Sequence, residues 1–204
     1  MSEPAFAQPR LPRRITVDEY HRMLEVGILR EGDPVELLDG VIEYKDRSAR
    51  GEAPMSIGKR HSVVICRLVA LENRLRRHRC HIRIQLPLTF PPHQEPEPDG
   101  AVVRGKSADY LKRHPGAGDV ACVIEVADSS LGQDRIRKAG LYALAGVPQY
   151  IIVNLVDDRV EVLTQPRAKQ GKYAQTVHLE AGTTLSLNCG GGRCIQVRVR
   201  DLLP

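Results

Sequence analysis

The feature that most constrains the fold is an apolar run, Val120-Ala121-Cys122-Val123-Ile124, in which polar and apolar residues do not alternate. Such a run is typical of a central strand that is covered on both faces. A helix pattern through Leu141 to Ala145 follows, then Gly146, which can end a helix in the left-handed region, and then an apolar strand over Tyr150 to Asn154. Strand, helix and strand with short connections predict a right-handed βαβ unit.

Periodicity and capping signals predict further elements on both sides of this unit. In chain order they are a helix capped by Thr16 and Glu19, a hairpin over Val35 to Tyr44 that turns at Asp39-Gly40, a helix from Ser56 to His78, a strand through Ile82, Ile84 and Leu86, a capping box of Ser130 and Gln133, and short strands at 160–163, 173–178 and 195–199. The sequence therefore predicts an α/β fold of the mixed α+β type, with antiparallel strands added at the C-terminus.

Length and composition narrow the class of protein. The 204 residues suit one domain, which we place at 15–204, after a flexible arm over 1–14 that holds three prolines. No apolar stretch approaches the roughly 18 residues of a membrane span, and the N-terminus lacks the pattern of a signal peptide. Five scattered cysteines argue against a disulfide framework. We expect a cytoplasmic protein without a membrane partner.

The 30 Lys and Arg residues against 25 Asp and Glu give a net charge of +5, and part of this charge is concentrated. Arg74, Arg76 and Arg77 open a basic stretch that continues through Arg79 and Arg83. A phosphate backbone would be attracted to such a patch. Arg74, Arg76 and Arg77 are therefore candidate nucleic-acid contacts. The alternative is a solvated helix face whose cations complement the helix dipole.

Glu125 is the most informative ionisable residue, because it lies in the strand predicted to be buried. An unpaired carboxylate there would cost several kcal/mol or would be neutralised by a raised pKa. A lysine or a metal ion would offset that cost, so Glu125 is a candidate functional residue. The alternative is that Glu125 stands at the end of the strand and reaches water.

Asp99 opens a second strand directly after Pro98. Two carboxylates at the ends of neighbouring strands suit Mg²⁺, which prefers oxygen ligands and keeps several waters. The alternative for Asp99 is a turn-forming residue before Gly100. Lys138, with Asp134 one turn before it, could turn back from the following helix toward the same strand end, or could belong to a solvated basic run.

These residues belong to a longer ordered set that resembles the Uma-two family of endonucleases, within the restriction-endonuclease-like PD-(D/E)XK superfamily. The set consists of Glu36-Leu37-Leu38-Asp39-Gly40, His61, Glu95-Pro96-Glu97-Pro98-Asp99, Ile124-Glu125-Val126-Ala127-Asp128-Ser129-Ser130, Asp134-Arg135, Lys138, Tyr142 and Gly146-Val147-Pro148-Gln149-Tyr150. The resemblance covers about residues 15–165 and leaves out the Cys189 to Cys194 segment.

The resemblance implies a restriction-endonuclease-like core, a mixed sheet flanked by helices, with the metal-binding acidic pair at Asp99 and Glu125. The superfamily places a lysine two residues after the second acid, where this chain has Ala127; the family supplies that lysine from the next helix, which matches Lys138. Glu36 matches a further acidic position, either a third ligand or a water-mediated contact. The ancillary positions that also match are His61, Asp134 and Tyr142.

The resemblance further implies an endonuclease that uses Mg²⁺ or Mn²⁺ to hydrolyse DNA. Glu36, Asp99, Glu125 and Lys138 are its expected catalytic residues. Two rival hypotheses remain, a catalytically silent nucleic-acid-binding module on the same scaffold and a small-molecule metallohydrolase, because a fold alone does not establish activity. Double-strand cleavage requires two sites, which makes a homodimer a candidate assembly.

Overall fold

The computed structural model describes residues 13–45 and 58–204. In these ranges the helices are α1 (Val17–Glu25), α2 (Lys59–Val69), α3 (Glu72–Arg76), α4 (Leu131–Gln133) and α5 (Ala139–Leu144). The strands are β1 (Val35–Leu38), β2 (Val41–Tyr44), β3 (Cys80–Arg83), β4 (Gly100–Arg104), β5 (Val120–Ala127), β6 (Gln149–Asn154), β7 (Arg159–Arg167), β8 (Lys172–Leu179), β9 (Thr184–Gly190) and β10 (Arg193–Arg198). Most of the predicted arm, residues 1–12, lies outside the described residues.

The centre of the protein is a six-stranded sheet with the order β3-β4-β5-β6-β7-β8. β5 and β6 are parallel and every other pair is antiparallel, so the predicted mixed sheet is confirmed. All eight residues of β5 are buried, as its apolar run predicts for a strand covered on both faces. Every helix in the described ranges is too short or too polar to span the hydrocarbon core of a bilayer.

The connection from β5 to β6 covers one face of the sheet. It consists of α4, a π-helical turn over Asp134–Lys138, and α5, which buries Leu141 and Tyr142 and ends before Gly146 at φ 75°. The predicted capping box of Ser130 is wrong. The backbone of Ser130 already has helical angles, whereas a capping serine is extended, and its hydroxyl donates instead to Asp134 Oδ2 at 2.7 Å.

The other face is covered by α2 and α3. The sequence predicted one helix over Ser56 to His78, but Ser56 lies outside the described residues and the helix is interrupted after Val69. The Leu71 N–H donates to the Leu68 carbonyl, three residues back, so the chain tightens there before α3 begins. A Cβ on Gly100 would lie 3.1 Å from Leu68 Cδ1, so the glycine lets α2 pack closely on β4.

Two predictions about peripheral strands need correction. β3 ends at Arg83, short of the predicted Ile84 and Leu86, because Gln85 takes a left-handed backbone conformation with φ 50°. β9 was not predicted, although it pairs with β10 in a separate hairpin. This hairpin buries Leu185, Leu187 and Val197 against the α2 side of the sheet, while the thiols of Cys189 and Cys194 are both free.

A smaller layer forms around α1 and the β1–β2 hairpin. The predicted capping box of Thr16 and Glu19 is present, and the hairpin turns through Asp39 and Gly40 at φ 55° and 73°. Leu37 of β1 bridges to Glu95 in the proline-rich loop before β4. The hairpin is thereby held beside the end of the central sheet, with Glu36 on the strand that faces it.

Candidate active site

Asp99 and Glu125 face each other at one end of the sheet. Gly100 of β4 pairs with Ile124 of β5, and continuing this antiparallel register by one residue places Asp99 opposite Glu125. The Asp99 N–H donates to Glu125 Oε2 at 3.2 Å, and the Val126 N–H donates to Asp99 Oδ2 at 2.9 Å. Each carboxylate is therefore fixed by the backbone of the neighbouring strand.

Lys138 completes this pair from the end of the π-helical turn. Its Nζ donates to Glu125 Oε1 at 3.1 Å and lies 3.7 Å from Glu36 Oε1. The side chain is only 16% exposed. A π-helical turn shifts the register of the residues that follow it and occurs often at functional sites. The structure thus brings together all four residues that were expected to be catalytic.

Glu36 reaches the cluster from β1, where it is buried. Its Oε2 accepts the Glu97 N–H at 3.2 Å, and its Oε1 faces Lys138. Glu36 therefore stands on the lysine side of the cluster. The family resemblance left two roles open for Glu36, a third metal ligand and a water-mediated contact. A direct ligand would have to move away from Lys138 toward the metal, whereas a water-mediated contact would leave Glu36 where it is.

Two of the three ancillary residues contact the cluster, and the third, Asp134, interacts with it through its charge. The Tyr142 hydroxyl donates to Glu125 Oε1 at 2.9 Å, and His61 Nε2 lies 3.0 Å from Asp99 Oδ1. Asp134 is buried at the start of the turn that carries Lys138. A further contact was missed: Gln85 Nε2 donates to Asp99 Oδ1 at 3.3 Å. No sequence signal marks Gln85, because it reaches Asp99 only through its left-handed backbone.

Burial shifts the pKa values of the acids in different directions. Burial raises the pKa of Glu125 to about 8 despite the nearby Lys138 ammonium, with the charges of Asp134, Asp99 and Glu36 adding to the increase. Burial also raises the pKa of Asp134. It opposes ionisation of Asp99 too, but the His61 hydrogen bond and the Val126 N–H outweigh it, so the pKa of Asp99 lies below its ordinary value.

The groups that donate to Glu125 keep their protons. Burial alone would lower the pKa of Lys138, but the charges of Glu125, Glu36 and Asp134 outweigh it and hold that pKa above its ordinary value. Burial, followed by the charge of Glu125, raises the pKa of Tyr142 well above its ordinary value. Lys138 is therefore an ammonium and Tyr142 a neutral hydroxyl, so both act as hydrogen-bond donors at neutral pH.

The donor set limits how a metal ion could be held. Among the residues that the structure describes, no three or more histidine, cysteine or carboxylate side chains are grouped so as to hold a metal ion. Asp99 and Glu125 offer two carboxylates, which fits a hard cation such as Mg²⁺ that keeps several waters in its shell. The acids Glu36, Asp99, Glu125 and Asp134 lie around a single ammonium. Burial and the neighbouring acids raise the pKa of Glu125 to about 8, and a divalent cation would favour the ionised form of this carboxyl group.

The three arginines expected to contact nucleic acid are not part of this cluster. Arg74, Arg76 and Arg77 lie at the end of α3, just before Cys80, which pairs with Arg104. That pair stands four residues along β4 from Gly100, toward the far end of the sheet. The sequence places these arginines just before β3, but it does not show that this end of β3 lies opposite to the end of the sheet that carries Asp99.

Comparisons with known proteins agree with this architecture. The family model described as "Uma2: Putative restriction endonuclease" matches residues 17–198, a longer segment than the predicted 15–165 that also takes in the Cys189 to Cys194 hairpin. The chain is similar in fold to the crystal structure of "a putative nuclease belonging to DUF820 from Anabaena variabilis ATCC 29413", with a TM-score of 0.66 and 20% identity over 92% of this chain and 97% of that chain. A search of curated proteins found no match. Since the family model matches most of its length, the chain belongs to the Uma2 family.

Proposed function

We propose that this chain is a metal-dependent DNA endonuclease with the catalytic arrangement of the PD-(D/E)XK superfamily. The observation that carries the proposal is the contact of Lys138 Nζ with Glu125 Oε1, directly beside Asp99. Two carboxylates and one ammonium from three distant stretches form one cluster that is partly accessible to solvent. The family description and that of the similar solved structure both name a nuclease activity.

Asp99 and Glu125 would hold Mg²⁺ or Mn²⁺, with water and substrate oxygens as the remaining ligands. When bound, such an ion supplies Lewis-acid polarisation of a phosphate and acidifies a water molecule. The excess of buried carboxylates supports this assignment, because their mutual repulsion is relieved by a divalent charge. The hydrogen bonds from Val126 and His61 to Asp99 keep this carboxylate oriented and ionised.

Lys138 acts as a charged donor in this proposal. Because its pKa is raised by the neighbouring acids, it holds its proton at neutral pH. Its ammonium would orient a nucleophilic water or neutralise charge on the phosphate. Glu36 shares the ammonium, and Tyr142 fixes the Oε1 atom of Glu125, so both residues position the groups that touch the substrate.

The test is cleavage of supercoiled plasmid by purified protein with Mg²⁺ or Mn²⁺. We expect wild type to nick or linearise the plasmid and Glu125→Gln to lose activity by at least about 100-fold, the range typical of removing one catalytic electrostatic group. Glu180→Gln removes an exposed carboxylate outside the site and serves as the matched control. Circular dichroism verifies that each variant is folded.

Equal degradation by wild type and Glu125→Gln would assign the activity to a contaminant and refute the proposal. If the protein binds DNA without a metal requirement and never cuts it, the chain is a binding module on a nuclease scaffold. If it cleaves phosphodiester model compounds but neither binds nor cuts DNA, it is a small-molecule hydrolase.

A further inference from the structure

A row of arginines lies where α2 and α3 pack along β10. Arg67 and Arg74 are seven residues apart, about two helical turns or 10 Å. Arg67 Nη1 donates to the Arg200 carbonyl at 3.4 Å, and Arg74 Nη2 donates to the Gln196 carbonyl. The helices and the C-terminal strand therefore run antiparallel, and their contact line carries guanidinium groups along its length.

The end of β10 and the turn after it add two more guanidinium groups to this line. Arg198 Nε donates to Asp201 Oδ2 at 2.8 Å, and Arg200 lies between these two residues in sequence. The hydrogen bond from Arg198 lowers the pKa of Asp201, and the charges of Arg200 and Arg67 lower it further. The Asp201 carboxylate therefore interacts with arginines of the C-terminal segment and with Arg67 of α2. We name Arg67, Arg74, Arg198 and Arg200 the arginine seam.

The seam differs from the acidic site in how its cations are compensated. Near the site, Arg137 pairs with Glu43, Lys45 pairs with Glu97, and Arg135 pairs with Glu161. In the seam, Arg67 and Arg74 bond to backbone carbonyls, and among the described residues neither pairs with a carboxylate. Four guanidinium charges less the one carboxylate of Asp201 leave three positive charges, which would attract a polyanion.

We propose that the arginine seam binds the phosphodiester backbone of duplex DNA and that α2 carries this track to the acidic site. This proposal takes the choice of DNA from the proposed function. Arg60, at the start of α2, donates to the Leu155 carbonyl at 2.7 Å, and the next residue, His61, contacts Asp99. From Arg60 to Arg74 the helical path is about 21 Å, roughly six base pairs of duplex.

The backbone contacts prepare the seam for this role. A guanidinium has five N–H donors in a fixed fork, and one bond to a carbonyl leaves others free for a phosphate. Arg67 and Arg74 are thereby held in place before binding, which reduces the side-chain entropy that association would otherwise cost. Arginine also pairs with phosphate in a bidentate manner that lysine cannot match.

The test measures binding of a fluorescein-labelled 30-base-pair duplex by anisotropy across a range of NaCl concentrations. All proteins carry Glu125→Gln and the buffer contains EDTA, so neither cleavage nor metal contributes. We expect Arg67→Gln/Arg74→Gln to weaken binding and to reduce the slope of log affinity against log salt by about 1.8, which is about 0.9 for each lost phosphate contact. Arg198→Gln/Arg200→Gln should do the same.

The matched control is Arg167→Gln/Lys169→Gln, which removes the same charge from the exposed end of β7 and the turn that follows it. An equal loss of affinity in this control would show that only net charge matters and would overturn the seam, as would an unchanged slope in both seam variants. Thermal melts verify folding, and glutamine keeps a donor for the carbonyls. If binding depends on the seam but the protein with Glu125 intact does not cleave DNA in Mg²⁺, the proposed function alone is refuted. If that protein cleaves DNA but the seam variants keep the wild-type salt slope, the seam alone is refuted.

Discussion

At the scale of single residues, the charge balance of the site depends on Lys138. Its ammonium touches Glu125 and Glu36 and also interacts with the charge of Asp134. A buried carboxylate that loses its cation either remains as an uncompensated charge or takes up a proton, and both outcomes lower the stability of the folded protein. Lys138 therefore stabilises the folded protein as well as taking part in the proposed chemistry.

Lys138→Met should lower the free energy of unfolding by about 3–5 kcal/mol in EDTA, because it leaves buried acids without their cation. Urea unfolding at pH 7 measures this change. Mg²⁺ should restore part of the loss, since a divalent ion can replace the missing charge. Lys172→Met, on the exposed face of β8, should change stability by less than about 0.5 kcal/mol. An unaltered stability of Lys138→Met in EDTA would contradict this account of the cluster.

At the scale of elements, the π-helical turn between α4 and α5 sets the direction of Lys138. Ion pairs to two different strands fix this turn: Arg135 binds Glu161 of β7, and Arg137 binds Glu43 of β2. A π-turn is less favourable than a regular helix, so contacts outside the helix must support it. Glu161 is also buried and accepts a hydrogen bond from Asn154 Nδ2 at 2.7 Å, which makes it the firmer anchor.

Glu161 should therefore make the free energy of unfolding depend on pH in the acidic range. Burial opposes its ionisation, but the hydrogen bonds from Arg135 and Asn154 outweigh it and hold the pKa of Glu161 below its ordinary 4.5. Because the folded-state pKa lies below the unfolded value, the stabilisation is complete above about pH 4.5 and is lost as the pH falls through the folded pKa.

Glu161→Gln should lower the free energy of unfolding by about 1–2 kcal/mol at pH 7, since Arg135 is partly solvated. Urea melts between pH 3 and pH 7 should then show a smaller difference between variant and wild type at the acid end. Glu31→Gln, at an exposed position, should follow wild type throughout. A constant difference across this pH range would show that Glu161 does not titrate in the expected way.

At the scale of the whole molecule, the site lies where three units meet. The β1–β2 hairpin supplies Glu36, the end of the central sheet supplies Asp99 and Glu125, and the helical connection supplies Lys138. A metal ion held there would bind only when all of these units are assembled. Binding to the native state alone stabilises a protein by RT ln(1 + [L]/Kd).

Mn²⁺ or Mg²⁺ should therefore raise the melting temperature of the wild-type protein in a concentration-dependent manner. At 100 times Kd the gain would be about 2.7 kcal/mol. Asp99→Asn should abolish the shift, because it removes one of the two candidate ligands, while Asp18→Asn on the exposed face of α1 should keep it. Differential scanning fluorimetry provides this readout without reference to nuclease activity. Equal shifts in both variants would place the metal elsewhere.

The sequence by itself determined the elements whose signals are local. The apolar run of β5, the Thr16 capping box, the Asp39-Gly40 turn and the termination at Gly146 depend on neighbouring residues, and each is present in the structure. The sequence left Glu125 open between a buried strand position and a strand end that reaches water, and the structure buries it.

Only the tertiary structure decided which distant groups meet and at which end of the sheet. Gln85 contacts Asp99 through a left-handed backbone that no local signal marks, and Ser130 bonds to Asp134 where a helix cap was predicted. Arg74 of α3 contacts Gln196 of β10, away from the acids, because the packing of α3 against β10 sets its direction. Side-chain contacts between segments depend on register and packing, which adjacent residues do not encode.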